Sequence, residues 1–153
     1  MTGFAHSVRP KIAHAACLVD RIDKGGCGVS LIDAPRPRLV IDLDKTGAPL
    51  GKSQTKCDFL LFADPDLVIA IEIKAGAPNI AQARKQLQAG ANAAEGLAPR
   101  DLRVTFQPVL ASKSLRRDKQ IELRQATVEF RKRREKIRRV ACGAPLTDAL
   151  GAP

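Results

Sequence analysis

Three charged side chains stand inside two otherwise apolar runs of the segment CDFLLFADPDLVIAIEIKAG, residues 57–76. They are Asp58, Glu72 and Lys74. The runs Cys57–Phe62 and Leu67–Lys74 flank Ala63-Asp64-Pro65-Asp66, and two such runs separated by turn residues read as a β-hairpin. If the turn centres on Pro65, residues equidistant from it pair, which places Asp58 opposite Glu72. Strand side chains alternate faces, so Lys74 shares the face of Glu72. Opposed residues on paired strands have Cβ atoms roughly 4.5–5.5 Å apart, so two carboxylates would converge with an ammonium beside them. Facing like charges destabilise a sheet unless something lies between them. A divalent cation fits that place, because hard cations take one or two carboxylates plus water and phosphate oxygens. Asp66 is a poor alternative partner. It lies six residues before Glu72 on the same strand, roughly 20 Å away at about 3.3 Å per residue.

Asp58 on one arm and Glu72-Ile73-Lys74 as E-x-K on the other resemble the PD-(D/E)XK nuclease superfamily. The resemblance covers about residues 10–110. It implies an α/β, restriction-endonuclease-like αβββαβ core with a mixed central sheet flanked by helices. It further implies that Asp58, Glu72 and the main-chain carbonyl near Ile73 bind Mg²⁺ or Mn²⁺, and that Lys74 orients the attacking water. Gln82 or Gln86 would match a glutamine that helps position substrate or the lysine, and Asp20 would match an acidic residue on the first helix. The implied activity is hydrolysis of DNA phosphodiester bonds by an endonuclease in repair, restriction or phage defence, leaving 5′-phosphate ends, often as a homodimer. Three other readings stay open: a surface Glu72–Lys74 ion pair, a non-catalytic DNA- or RNA-binding protein on the same fold, and a small protein whose cations bind an acidic partner.

The elements that must hold these residues follow from the rest of the chain. With 153 residues, 44% of them hydrophobic and 27% charged, one domain with a single substantial core is expected. Net charge is +10, which favours a polyanionic partner. The absence of Trp and Tyr, with only 5 Phe, argues against stacking of single-stranded bases; DNA is the expected partner, with RNA the lesser alternative. No apolar run is long enough for a membrane span and no signal peptide opens the chain, so a cytoplasmic location is expected. The four cysteines lack C-x-x-C spacing, and reduced thiols are expected.

In chain order, residues 10–22 predict a helix with Pro10 near its start and a stripe of Ile12, Ala16, Val19 and Ile22. Gly25-Gly26-Cys27-Gly28 predicts a turn with no strand before it. Residues 38–44 predict the first core strand, and 45–56 a loop whose Lys52 and Lys56 could hold DNA backbone. Residues 79–97 predict a helix capped by Asn79, with Gln82, Arg84, Lys85 and Gln86 in its first turns. Residues 102–111 predict a fourth strand that ends or bulges near Pro108. Beyond a short helical turn opening at Ser114, residues 125–142 predict a C-terminal β-hairpin around 132–134, with a helix as the competing assignment. Arg116, Arg117, Arg131, Lys132, Arg133 and Arg134 belong to this strongly basic region, which reads as a phosphate-tracking surface. The last residues, TDALGAP, are expected to fray.

Overall fold

The computed structural model describes residues 3–50 and 55–150. Its first part contains helix α1 (Phe4–Val8), the strands β1 (Leu18–Val19), β2 (Ile22–Lys24), β3 (Cys27–Val29) and β4 (Arg38–Asp42), and 3₁₀ turns at Arg9–Lys11 and Ala15–Cys17. The centre consists of β5 (Phe59–Ala63), β6 (Leu67–Lys74), α2 (Ile80–Leu97) and β7 (Thr105–Ser112). The chain closes with α3 (Arg117–Gln125), β8 (Thr127–Phe130), β9 (Arg133–Lys136), β10 (Arg138–Ala141) and a 3₁₀ turn at Leu146–Ala149.

The fold is α/β, around a mixed six-stranded sheet of order β1-β4-β5-β6-β7-β10. The strands β1, β4, β5 and β6 pair antiparallel. Helix α2 then crosses over, and β7 and β10 continue the sheet in parallel. The β5–β6 register is the one expected, with Phe59 opposite Ile71 and Ala63 opposite Leu67. Both strands are buried on both faces. Leu60, Phe62, Val68 and Ala70 join one apolar layer, and Phe59, Leu61, Ile69, Ile71 and Ile73 the other.

Helix α2 covers the first layer. Asn79 caps it by accepting the Gln82 N–H at 3.0 Å. Ile80, Ala83, Leu87, Gly90, Ala91, Ala94 and Leu97 face the sheet. The small residues let the helix approach closely: a Cβ at Gly90 would fall on the Cys57 Sγ and within 3.5 Å of the Ala70 Cβ. Pro108 neither ends nor bulges β7. It lies inside the strand opposite Ala70, one residue before β10 joins at Val109, where only one neighbour needs a ladder bond. The C-terminal hairpin forms as β8–β9, but it turns at Arg131-Lys132, both in the left-handed region (φ 50° and 67°). Ile137 then redirects the chain, so the second arm splits into β9 and the sheet strand β10.

Four expectations are corrected. Residues 10–22 do not form a helix; they break into 3₁₀ turns and β1, and Ile22 opens β2. The apolar spacing was near helical, but Val19 and Ile22 are β-branched and find strand partners: Val19 pairs with Val40, and Ile22 with Val29. A strand therefore does precede the glycines, and Gly25 and Gly26 take positive φ (58° and 79°) in the two-residue turn of the β2–β3 ribbon. That ribbon, not a helix, covers the second layer together with Leu31, Ala34 and the turn Leu146–Ala149. The tail is ordered through 149, since Leu146 and Ala149 are buried and the Leu146 N–H donates to Ser30 O at 2.7 Å; residues 151–153 lie outside the described residues. Cys27 and Cys142 are not reduced thiols; they form a disulfide across 115 residues of sequence, while Cys17 and Cys57 are free and buried. Disulfides are rare in reducing cytosol, so this bond does not favour the expected compartment. Among the described residues, no helix is long and apolar enough to cross a membrane.

Two stability outcomes follow. Gly90→Ala is expected to lower the melting temperature, because overpacking against Cys57 costs about 1–3 kcal/mol and outweighs the roughly 1 kcal/mol gained in helix propensity. Thermal melts of the two proteins check this. Replacing Cys27 and Cys142 by Ser is expected to cost about 2–5 kcal/mol, given the length of the closed loop. Urea titration should show the same loss when dithiothreitol is added to the parent protein and no further loss in the double variant.

Candidate active site

The hairpin brings its charged residues together at the end of the sheet where β6 finishes. Asp58 directly precedes β5, one residue before the Phe59–Ile71 pair. Its N–H donates to Ile71 O at 3.0 Å, and its carboxylate comes to lie beside the Glu72 carboxyl. Asp58 is 7% exposed and Glu72 1%. The Ile73 N–H donates to Asp58 Oδ2 at 2.8 Å, which fixes the carboxylate against the β6 main chain. Lys74 Nζ lies 3.0 Å from Glu72 Oε2. Glu72 Oε1 is buried without a hydrogen-bond partner. Asp66 lies at the opposite end of β6, where its carbonyl accepts the Thr105 N–H.

Two further residues complete the cluster and were not singled out in the sequence. Lys24, at the tip of the β2–β3 ribbon, reaches around from the other layer and donates to Asp58 Oδ1 at 2.6 Å. The same ammonium donates to Asp44 Oδ2, and Lys56 lies 3.5 Å from Asp44 Oδ1. Lys24 is 34 residues from Asp58 in sequence, and no local pattern announces the contact. The run RLVIDLD does carry Asp44 past the end of β4, and that was the available signal. Asp20 is not brought here; it borders a separate recess with Arg21 and Asp23.

The electrostatics follow from burial. Desolvation raises the Glu72 carboxyl to about 8 from its ordinary 4.5, the Asp58 carboxylate beside it adds to the rise, and Lys74 opposes it. At Lys24, burial works against the ammonium, but hydrogen bonds to Asp44 and Asp58 outweigh it and raise its pKa. The hydrogen bond from Lys24 is the main cause that lowers Asp44.

Above this cluster opens a cavity of about 700 Å³ lined by Lys24, Asp44, Thr55, Lys56, Asp58, Asn79, Ala81, Gln82, Lys85 and Gln86. Gln82, Lys85 and Gln86 recur at three- and four-residue spacing, so the first turns of α2 form one wall. Gln86 Oε1 is buried with no hydrogen-bond partner. Glu72 and Lys74 do not line the cavity; they sit beneath and beside Asp58. Arg84 points elsewhere, as an exposed residue of α2 outside the cavity wall. Lys52 lies outside the described residues.

The C-terminal cations separate into two groups. Lys74 pairs in register with Ser112, so Arg116 and Arg117, which follow Ser112 closely, leave the sheet at the site's end. Both are exposed, and Arg116 is forked onto Asp118. Arg131 and Lys132 lie near the other end of α2, about 27 Å away along an 18-residue helix. There the Arg131 guanidinium donates to the carbonyls of Pro99 and Leu102 at 2.7 and 2.6 Å, and its N–H donates to Glu95. Lys132, Arg133 and Arg134 are exposed.

Among the described residues, no group of three or more His, Cys, Asp and Glu side chains is arranged to hold a metal. The acidic groups that could face a cation at this site are the Asp58–Glu72 pair, with nearby main chain. This set suits Mg²⁺ or Mn²⁺, which take few protein carboxylates and complete their shell with water and phosphate. The unpartnered Glu72 Oε1 is the atom that such a cation would satisfy. A scan against protein-family models finds no match, and neither does a search of curated proteins or of solved structures.

The raised Glu72 carboxyl makes stability depend on pH with a definite sign. The folded state binds this proton more tightly than the unfolded chain, so the metal-free protein loses stability as pH rises from about 4.5 to about 8. The loss is on the order of a few kcal/mol. Urea unfolding in EDTA at several pH values across that window should show it, and Glu72→Gln should flatten this contribution.

Proposed function

We propose that the protein is a divalent-metal-dependent endonuclease that hydrolyses DNA phosphodiester bonds, on a restriction-endonuclease-like core of the PD-(D/E)XK kind. One observation carries this reading: a buried acidic pair, Asp58 and Glu72, with Lys74 on the same strand face, whose Asp58 opens onto a cavity that Lys24, Lys56 and Lys85 also line. Buried charges inside an apolar hairpin cost stability. A fold that keeps two of them, Asp58 and Glu72, side by side with Lys74 at the rim supports a use other than packing. The element order from β4 to β7, three antiparallel strands, a crossover helix and a parallel strand, agrees with the part of the resemblance that holds the motif.

Asp58, Glu72 and the Ile73 main-chain carbonyl would hold Mg²⁺ or Mn²⁺. When bound, such an ion polarises a phosphate oxygen and lowers the pKa of an attacking water. The chain itself supplies the rest. The Ile73 N–H keeps Asp58 in one orientation. Glu72 must give up its proton to serve as a ligand, and Lys74 favours that ionised form. Lys74 can also hold the attacking water and stabilise charge that grows on the phosphate oxygens. Lys85 neutralises a flanking phosphate, and the Gln82 and Gln86 amides offer neutral hydrogen-bonding groups to substrate or water. Hydrolysis needs no covalent nucleophile on the protein.

A non-catalytic nucleic-acid-binding protein is the second reading. Its support is Lys24, which already neutralises Asp58 within the protein, while the exposed cations would still track phosphate. Incubation with supercoiled plasmid and Mg²⁺ or Mn²⁺ separates the two. The expected result is nicking or linearisation that EDTA abolishes, that Glu72→Ala removes, and that Lys74→Ala slows by about 10²–10⁴. Salt-sensitive plasmid binding by the parent protein with no cleavage under either metal would leave only the second reading.

A further inference from the structure

We infer that Lys24 is the built-in counter-cation of the site: it competes with a divalent metal ion for Asp58, and Asp44 is the carboxylate that retains it when the metal binds. This inference rests on the reading of Asp58 and Glu72 as metal ligands.

The two oxygens of Asp58 have different partners. Oδ2 accepts the Ile73 N–H, so Oδ1 is the oxygen turned toward a cation, and Lys24 Nζ lies 2.6 Å from it. An ammonium and a divalent ion on one oxygen repel each other strongly at such range. Lys24 must therefore withdraw from Asp58 as metal binds. It has somewhere to go, because the same ammonium already donates to Asp44. Both side chains are near half-exposed, at 48% and 43%, so a shift along this pair is not blocked by packing. Glu72 Oε1 is buried beside Asp58 and accepts no hydrogen bond from the protein, so once Glu72 is ionised this oxygen is free to share a cation with Asp58.

The placement of Lys24 is a property of the fold. Lys24 stands opposite Cys27 in the β2–β3 ribbon, and Cys27 is bonded to Cys142. The Gly143 N–H also donates to Gly28 O at 2.6 Å. The ribbon is thus tied to the end of β10, and its tip delivers the ammonium from the opposite layer of the sheet. Asp44 lines the cavity, and among the described residues its carboxylate meets Lys24 and Lys56 and not Asp58, so it acts on Asp58 through Lys24 as a positioning residue.

The test is Mn²⁺ binding by the full chain with its disulfide intact, read as loss of the free-ion electron paramagnetic resonance signal. Lys24→Gln and Lys24→Met, two neutral replacements of similar length, are each expected to bind Mn²⁺ about tenfold tighter than the parent. Lys24→Arg, which keeps the charge, is expected to stay within about twofold. Asp44→Asn should weaken binding in the parent background, because Lys24 then rests wholly on Asp58. In the Lys24→Gln background it should change nothing, since its effect passes through Lys24. Equal or weaker binding by both neutral variants overturns the competition, and an Asp44→Asn effect of equal size in both backgrounds overturns the retaining role of Asp44. If the parent binds Mn²⁺ and only these differences fail, the metal site stands without the inference. If neither the parent nor the Lys24 variants bind Mn²⁺ at millimolar concentration, the metal reading fails and the inference with it.

Discussion

Asp58 and Glu72 face each other because the register of β5 and β6 leaves them no choice. Each strand is buried on both faces, and a one-residue slip would exchange two complete apolar layers. The hydrophobic effect therefore holds two carboxyl groups together against their mutual repulsion. The repulsion has to be resolved by chemistry at the site itself. In the protein it is resolved twice over: Glu72 retains a proton toward pH 8, and Lys24 sits on Asp58. Lys74 then completes the balance from the same strand face.

The rest of the architecture can be understood as support for that forced meeting. Gly90 brings α2 close enough for its first turns to wall the cavity. The parallel pairing of β6 and β7 sends Lys74 and Ser112 out at the same end of the sheet, so the chain leaving β7 starts beside the site. The disulfide between Cys27 and Cys142 secures the ribbon that lends Lys24. These links are long-range in sequence, and each fixes a polar group that local structure alone would leave mobile.

What could be read in advance divides along that line. The hairpin, its register and its three charges were legible because two short apolar runs around a Pro-containing turn are local signals. Helix α2 and its Asn79 cap were legible for the same reason. Residues 10–22 were misread because Ile12, Ala16, Val19 and Ile22 match a helical stripe by spacing, whereas Val19 and Ile22 are used as strand residues by partners far along the chain. Cys27 and Cys142 gave no spacing clue, since a pair 115 residues apart is set by tertiary placement alone. Lys24 was hidden by the same error, for it stands one residue before a glycine turn whose preceding strand was not foreseen. The basic tail was counted correctly but placed too simply: charge composition has no direction, and Arg131 turns out to bind the carbonyls after α2.

That last point bears on how charge serves the site. A cation contributes to phosphate binding only where its head is available and near enough to act, and screening limits its reach to about 8–10 Å at ordinary salt. Lys56 is engaged with Asp44, whereas Lys85, exposed at the cavity wall, meets that condition. The turn at Arg131-Lys132, about 27 Å away along α2, does not. Its left-handed backbone is held instead by Glu95, Pro99, Leu102 and the ring of Phe130. The large positive charge of the chain is thus two separate features. One is local and balances the acidic pair; the other is distant, exposed in part and in part spent on holding the turn after α2.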